Sequence, residues 1–293
     1  MRWIIALVVV LAIGVGGGLI IARPATDGSD ILAGLTPDVA NGQTVFTASG
    51  CASCHMAEGA TGEAKLVLSG GQAFASDFGT FRAPNISQHP DEGIGDWTDL
   101  DMWNALHNGT SPDGQHYYPV LPYAAYVHLE PQDVVDLHAY MKTLPEDATP
   151  SLPHEVGFPF SVRAAVGGWK MLFFKDDWVM QGDLSPELER GRELVEAMGH
   201  CAECHTPRNL LGGLKTGGDW LTGAPNPSGR GTFPDLVTLE WSEGEIAEYL
   251  SSGFTPEFDS AGGHMALVVE NFAALSPEDR AAVAAYVKAL PIQ

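Results

Sequence analysis

The chain has 293 residues, 45% of them apolar and 18% charged; that is a globular composition, it excludes a disordered chain, and the length suits about two domains. A formal charge of −22, from 37 acidic and 15 basic residues, repels a phosphate backbone and argues against nucleic acid as a partner. Four cysteines are too few for a disulfide scaffold of this size, so their spacing matters more than their number.

Residues 3–21 form an uncharged run of 19 between Arg2 and Arg23. As a helix rising about 1.5 Å per residue it is roughly 28 Å long, close to the hydrocarbon thickness of a bilayer. A cleaved secretory signal is the alternative reading. Against it, the run is longer than the usual apolar core of a signal, and Ile21-Ala22-Arg23-Pro24 is a poor cleavage site. The expectation is a signal-anchor within residues 1–25 that crosses the membrane once. Either reading exports the rest of the chain.

After the anchor the sequence repeats itself. Gly50-Cys51-Ala52-Ser53-Cys54-His55 returns as His200-Cys201-Ala202-Glu203-Cys204-His205, 150 residues on. Trp97-Thr98, Leu106 and Gly109 return as Trp241-Ser242, Leu250 and Gly253, 144 residues on. Leu129–Pro145 matches Leu275–Pro291 at 8 of 17 positions. Three landmarks in one order at nearly one offset indicate duplicated domains, 36–147 and 185–293, joined by a linker at 148–184. Each copy reads as helical: 131–144 and 277–290 open with proline, carry acidic residues close behind, then apolar residues at helical spacing, and stop at proline. Ala40–Ser49 and Glu187–Met198 read as helices leading into the cysteines. Residues 56–96 and 206–238, rich in Gly, Pro, Asn and Asp, read as long loops. Loops of that length are unusual in a compact domain unless they wrap something large.

Three chemistries use Cys-x-x-Cys. A structural zinc site needs four ligands, and here the two pairs lie in different domains. A thioredoxin-like pair needs a βαβ setting and no following histidine. Covalent haem attachment needs two thiols for the porphyrin vinyl groups and an adjacent histidine beneath the iron. Only the third uses Cys51, Cys54, His55 and Cys201, Cys204, His205 in full, so the expected cofactors are two covalently bound haem c groups. They consume every thiol.

Each iron then has an opposite face. In the second copy Gly262-Gly263-His264-Met265 offers a thioether, which raises a haem's reduction potential; the glycines suggest a loop rather than a packed helix, and His264 is the rival ligand. In the first copy the corresponding stretch, His116-Tyr117-Tyr118-Pro119-Val120-Leu121-Pro122-Tyr123, has no methionine. His116 is the expected ligand there, with His128, His107 upstream, and an open or differently ligated iron as the alternatives. In the linker, Phe158, Phe160, Trp169, Phe173, Phe174 and Trp178 read as packing that fixes the two domains relative to each other, or as an exposed patch for a partner or a membrane surface.

Longer strings carry a resemblance: Phe78-Gly79-Thr80-Phe81 with Pro84-Asn85-Ile86, Gly93-Ile94-Gly95-Asp96-Trp97, Ser111-Pro112-Asp113-Gly114 leading to Tyr118-Pro119-x-x-Pro122-Tyr123, and Gly199 through Asn209. In these the chain resembles the membrane-anchored di-haem c-type cytochromes of bacterial periplasms, and is similar to the cytochrome subunits of alcohol, aldehyde and gluconate dehydrogenases. The resemblance implies an all-α fold, two tandem class-I cytochrome c domains behind an N-terminal transmembrane helix, in the bacterial inner membrane with the haem domains in the periplasm. It implies His55 and His205 as proximal ligands and Met265 as the distal ligand of the second haem. Leu121 departs from the Tyr-Pro-x-Met-Pro-Tyr string of many members; a branch with an aromatic or aliphatic residue there has histidine at the place of His116. Many dehydrogenase-linked members carry a third haem domain, whereas this sequence carries two such motifs.

The function expected is electron relay between a periplasmic dehydrogenase or other respiratory donor and a soluble cytochrome or terminal oxidase. The competing expectation is a haem enzyme, peroxidase-like or thiosulfate-oxidising, with an open first iron; Leu121 is the residue that supports it, and no acid–base pair or nucleotide motif does.

Overall fold

The computed structural model describes residue 3, residues 22–227, residue 229 and residues 231–290. The anchor expected over 3–21 therefore lies, apart from Trp3, outside the described residues. Among the described residues no helix is long and apolar enough to cross a membrane.

Each copy is built on a crossing of its first and last helices. In the first copy α1 (Val39–Ala48) starts at Asp38, whose carboxylate accepts from the amides of Ala40 and Asn41. The cysteine motif forms α2 (Cys51–His55), α3 covers Asp99–Asn108, α4 Tyr123–Tyr126 and α5 Pro131–Met141. α1 crosses α5 at Gly42, where a Cβ would lie 2.0 Å from the Asp136 carbonyl oxygen. Only glycine lets two backbones approach that closely.

The second copy repeats the device. After the linker helix α6 (Ala165–Phe173), α7 (Pro186–Arg192) is capped by Ser185 and runs on through a π-type turn, Glu193–Met198. α8 (Ala202–His205), α9 (Glu243–Ser252), α10 (His264–Ala273) and α11 (Pro277–Ala289) come next. α7 meets α11 at Gly191, where a Cβ would lie 2.2 Å from the Ala282 carbonyl oxygen. In both copies a tyrosine on the last helix, Tyr140 or Tyr286, packs its Cβ over the crossing glycine.

The Trp-Thr/Ser…Leu…Gly landmark has a local cause in each copy. Thr98 and Ser242 close capping boxes with Asp101 and Glu245, and Gly109 and Gly253 end α3 and α9 at φ 57° and 78°. Side-chain oxygen at the start and a left-handed glycine at the end satisfy the orphan backbone groups of both helices.

The expected all-α fold holds for the main elements and needs one correction. The segments 56–96 and 206–238 are not simple loops. The first holds a 3₁₀ turn at Gly62–Val67 and a hairpin, β1 (Ala73–Ser76) with β2 (Gly79–Arg82). β3 (Glu155–Val156), from the linker, adds to β2. The second segment holds the short pair β4 (Ala224–Pro225) and β5 (Thr232–Phe233). Four-residue strands give too brief an alternation to stand out from their glycines and serines. Gly79 shows why the sheet forms: at φ 129° its missing Cβ would sit 2.3 Å from the Glu155 carbonyl oxygen.

The linker packs. Trp178 stacks on His128 of the first copy at 4.1 Å while Arg192 of the second lies over its ring at 4.4 Å. Trp169 touches Tyr123 and donates to the Leu211 carbonyl at 2.9 Å, and Phe160 packs on Phe78. Phe158, 86% exposed, is the exception. The helix α6 among these aromatics carries no strong signal in a stretch that opens with prolines. Buried residues of both copies share one continuous cluster, and Phe81, Tyr118 and Val166 form a second, smaller one.

Candidate haem sites

The thiols come first. Burial pushes Cys51 and Cys201 up to about 12, and Cys54 and Cys204 up to about 11. A redox-active pair or a zinc thiolate needs the opposite shift. No group of three or more His, Cys, Asp or Glu that could hold a metal ion occurs among the described residues. Thioether formation, which leaves no free thiol to ionise, suits the burial.

The motif histidines are oriented identically. His55 Nδ1 donates to the Pro84 carbonyl at 2.9 Å and His205 Nδ1 to the Pro234 carbonyl at 2.9 Å, each proline 29 residues downstream. A carbonyl can only accept, so the proton sits on Nδ1 and the Nε2 lone pair is free for iron. Burial lowers both histidine pKa values against the opposing pull of the carbonyl. A neutral ring is the form that ligates.

Backbone contacts brace each histidine. The Gly70 amide donates to the His55 carbonyl at 2.7 Å and the Gly223 amide to the His205 carbonyl at 2.8 Å. Both glycines have left-handed φ, 74° and 83°, and a Cβ on either would collide with the proline loop, 2.5 Å from Pro84 or 2.7 Å from the Phe233 oxygen. Two residues before each glycine, Leu68 and Leu221 are fully buried at φ 58° and 56°. A leucine in that region costs of order 1 kcal/mol and persists only where the surroundings enforce it. Their carbonyls accept from Ile86 and Leu236 at 3.0 and 2.9 Å. Of this set only Pro84 and Ile86 stand in a string singled out from sequence, and there without a role; the repeated 29-residue spacing from histidine to proline is the signal that could have found the rest.

On the distal side the copies differ. Met265 lies in the first turn of α10 and packs, partly buried, against the core, so the loop expected from its glycines is corrected: Gly262 lies before the helix, and Gly263, at φ 57°, is its N-cap. The rival His264 is exposed and its ring packs edge-on against Phe74 of the first copy. That engagement leaves Met265 as the candidate ligand there.

His116 is 4% exposed, and its Nε2 donates to the Ala22 carbonyl at 2.8 Å, with Gly167 of α6 close behind. The ring is turned to the polypeptide segment 22–27 through Nε2, while its buried Nδ1 has no hydrogen-bond partner. His128 is stacked on Trp178, and His107 on Trp103 at 4.2 Å. Trp103 in turn donates to Asp27, so His107 belongs to the outer face of α3 that the same segment covers.

The two motif helices adjoin. Asn271 of α10 donates to Ser53 Oγ, inside the first motif, at 3.0 Å, and His200, next to the second motif, donates to the Ser49 carbonyl at 3.3 Å. Tyr126, buried, donates to the same carbonyl at 3.3 Å and packs edge-on against the His200 ring at 5.7 Å. Lys65 and Glu270 close the rim with a 2.5 Å ion pair.

Comparison with known proteins agrees with the duplication. The cytochrome c family model matches residues 39–145 and again 188–291. A di-haem c-type cytochrome of Cereibacter sphaeroides is 55% identical over 94% of this chain and 93% of its own length. The fructose dehydrogenase cytochrome subunit of Gluconobacter japonicus is 34% identical over 87% of this chain, and the gluconate 2-dehydrogenase cytochrome c subunit of Pantoea cypripedii 30% identical over 86%. The chain spans 53% and 59% of those two subunits. With both Cys-x-x-Cys-His motifs intact and their histidines held alike, the chain belongs to the cytochrome c family as a di-haem c-type member with two covalently bound haem groups.

Proposed function

We propose that this protein relays electrons in the bacterial periplasm, held to the inner membrane by residues 3–21, between a dehydrogenase and a soluble cytochrome or terminal oxidase. Electron transfer is the activity of the family. The direction, the partners and the compartment are the proposal. Each haem supplies a one-electron iron couple; the chain's residues do the rest. His55 and His205 present a neutral nitrogen with its tautomer set by a proline carbonyl. Leu68, Leu221 and their neighbours keep water from the motif. Ser49, Ser53, Tyr126, His200 and Asn271 hold the two motif ends against each other.

That abutment is the observation that carries the reading. Two binding modules acting separately have no need of a junction between their attachment helices. Methionine at the second iron places its potential above that of a first iron without one, so electrons enter at 36–147 and leave from 185–293. Three residues support the membrane reading by tying the stretch after the apolar run to the first domain. Ala22 accepts from His116, Ala25 accepts from Thr110 at 2.8 Å, and Asp27 accepts from Trp103 and Asn108 at 2.8 Å each. The donor would be a dehydrogenase, since relatives are cytochrome subunits of such enzymes. The charge of −22 calls for basic docking faces on the partners, with association weakening as salt rises.

Potentiometric titration of the full chain tests the direction. Two steps are expected, and Met265→Leu should lower the upper one. A variant that moves the lower step instead would reverse the proposed flow.

A further inference from the structure

The apolar run 3–21 joins the protein body with no slack. Ala22, one peptide bond beyond it, lies against α6: a Cβ on Gly167 would sit 2.1 Å from the Ala22 carbonyl oxygen. The residues that follow are fastened too, since Ala22, Ala25 and Asp27 accept from His116, Thr110, and Trp103 with Asn108. Adjacent Cα atoms stand about 3.8 Å apart, so residue 21 lies no farther than that from Ala22. Whatever holds residues 3–21 must come up to α6.

α6 leaves one side exposed there. At about 100° per residue, Val166, Gly167 and Lys170 turn inward. Val166 is buried with Phe81 and Tyr118, and Lys170 donates to the Asn108 and Gly109 carbonyls at 2.6 and 2.8 Å. Ala164, Ala165, Met171 and Leu172 turn outward, the last two 63% and 62% exposed. Gly167, under Ala22, flanks this face on one side. Trp169 flanks it on the other, with its indole on the Leu211 carbonyl, and Leu210 beside it is 98% exposed. The same loop reaches Phe78 through Gly212, and Phe78 packs on the exposed Phe160 at 4.8 Å. Linker and second copy thus contribute to one apolar patch.

Its charge suits a lipid surface. Residues 157–175 hold Arg163, Lys170 and Lys175 and no acidic residue, in a chain with 37 acidic and 15 basic ones. Anionic headgroups attract such a stretch, whereas a second copy would bring another chain of −22 against the first.

We propose that the bilayer holding residues 3–21 also covers this face, with α6 in the headgroup layer, Met171 and Leu172 turned to the acyl chains, and Leu210 and Leu211 alongside. The inference rests on the anchor proposed above and adds a second contact to it. Because both copies contribute, the haem domains keep one orientation over the membrane instead of swinging on a tether, and a partner in the same membrane meets them in that orientation.

The test uses full-length, haem-loaded protein in phosphatidylcholine–phosphatidylglycerol vesicles that contain a diazirine phospholipid, with the photo-adducts mapped by peptide mass spectrometry. Adducts should fall within residues 3–21, within 158–172 and at Leu210–Leu211. Met171→Glu with Leu172→Glu, both at exposed positions, should cut the adducts at 158–172 severalfold and leave those at 3–21 and the haem content unchanged. Undiminished adducts in that variant would overturn the inference. Adducts at 3–21 alone would overturn it and leave the anchor standing; adducts at neither place would overturn both. A chemical cross-link joining Lys175 of two chains, with no lipid adduct at 158–172, would assign the face to a second copy and overturn it as well.

Discussion

On the histidine side of the motifs the two domains coincide bond for bond: His55 to Pro84 and His205 to Pro234, Gly70 and Gly223 bracing the motif carbonyls, Leu68 and Leu221 in the same left-handed turn. On the other side they part. Met265 opens a ten-residue helix, whereas Leu121 precedes the four-residue α4, and His116, where the second domain has Ser260, is sealed beneath Ala22 and α6. Fixing the porphyrin and fixing the potential are thus separate tasks. The first tolerates little variation because it depends on backbone geometry; the second can change through one side chain.

Removing the attachment in one half gives the largest expected effect. Cys51→Ala with Cys54→Ala should halve the covalent haem per chain, read by haem staining and the pyridine haemochrome spectrum, and leave the second site loaded. Next come the crossing glycines. Gly42→Ala and Gly191→Ala each force a methyl group onto a backbone oxygen about 2 Å away, and should cost about 2–3 kcal/mol by thermal or denaturant unfolding. Equal losses would show that the halves depend alike on the crossing. Met265→Leu should lower the second potential by on the order of 0.1 V, within the ~0.8 V that axial ligands span.

One pH effect can be assigned to a single histidine of the first half. Burial, the largest cause, pushes His128 down to about 4, so the folded protein holds it neutral while the unfolded chain protonates near 6.5. A depressed histidine pKa stabilises the fold above the unfolded value, and this contribution falls away as pH drops from about 6.5 to about 4. His128→Phe should keep the stack on Trp178 and flatten that slope in melting temperature. The smallest effect is at the rim: Lys65→Ala should cost ~0.5 kcal/mol or less, since Glu270 is 59% exposed and such pairs are screened.

Much of this was legible in the chain. The duplication, the attachment residues and the last helices come from spacing and patterning, because covalent motifs and proline-started amphipathic helices leave local marks. The surroundings of His116 were not legible because the partner of its Nε2, Ala22, lies 94 residues away, and a lone histidine says nothing about what will cover it. The α6 helix and the β1–β2 hairpin were missed for a related reason. Their stability comes from contacts such as Trp169 with Leu211 and Phe81 with Tyr118, which no short window contains. Tyr126 drew no notice as one apolar residue among many, and only the fold sets it beside His200.

Kinetics after partial reduction of the full chain by a brief radiolytic pulse test the relay most directly. The first haem's ferrous signal should decay into the second's at a rate independent of protein concentration, slowed when Tyr126→Ala loosens the junction. A transfer rate that rises in proportion to concentration, or electrons that settle on the first haem, would contradict it.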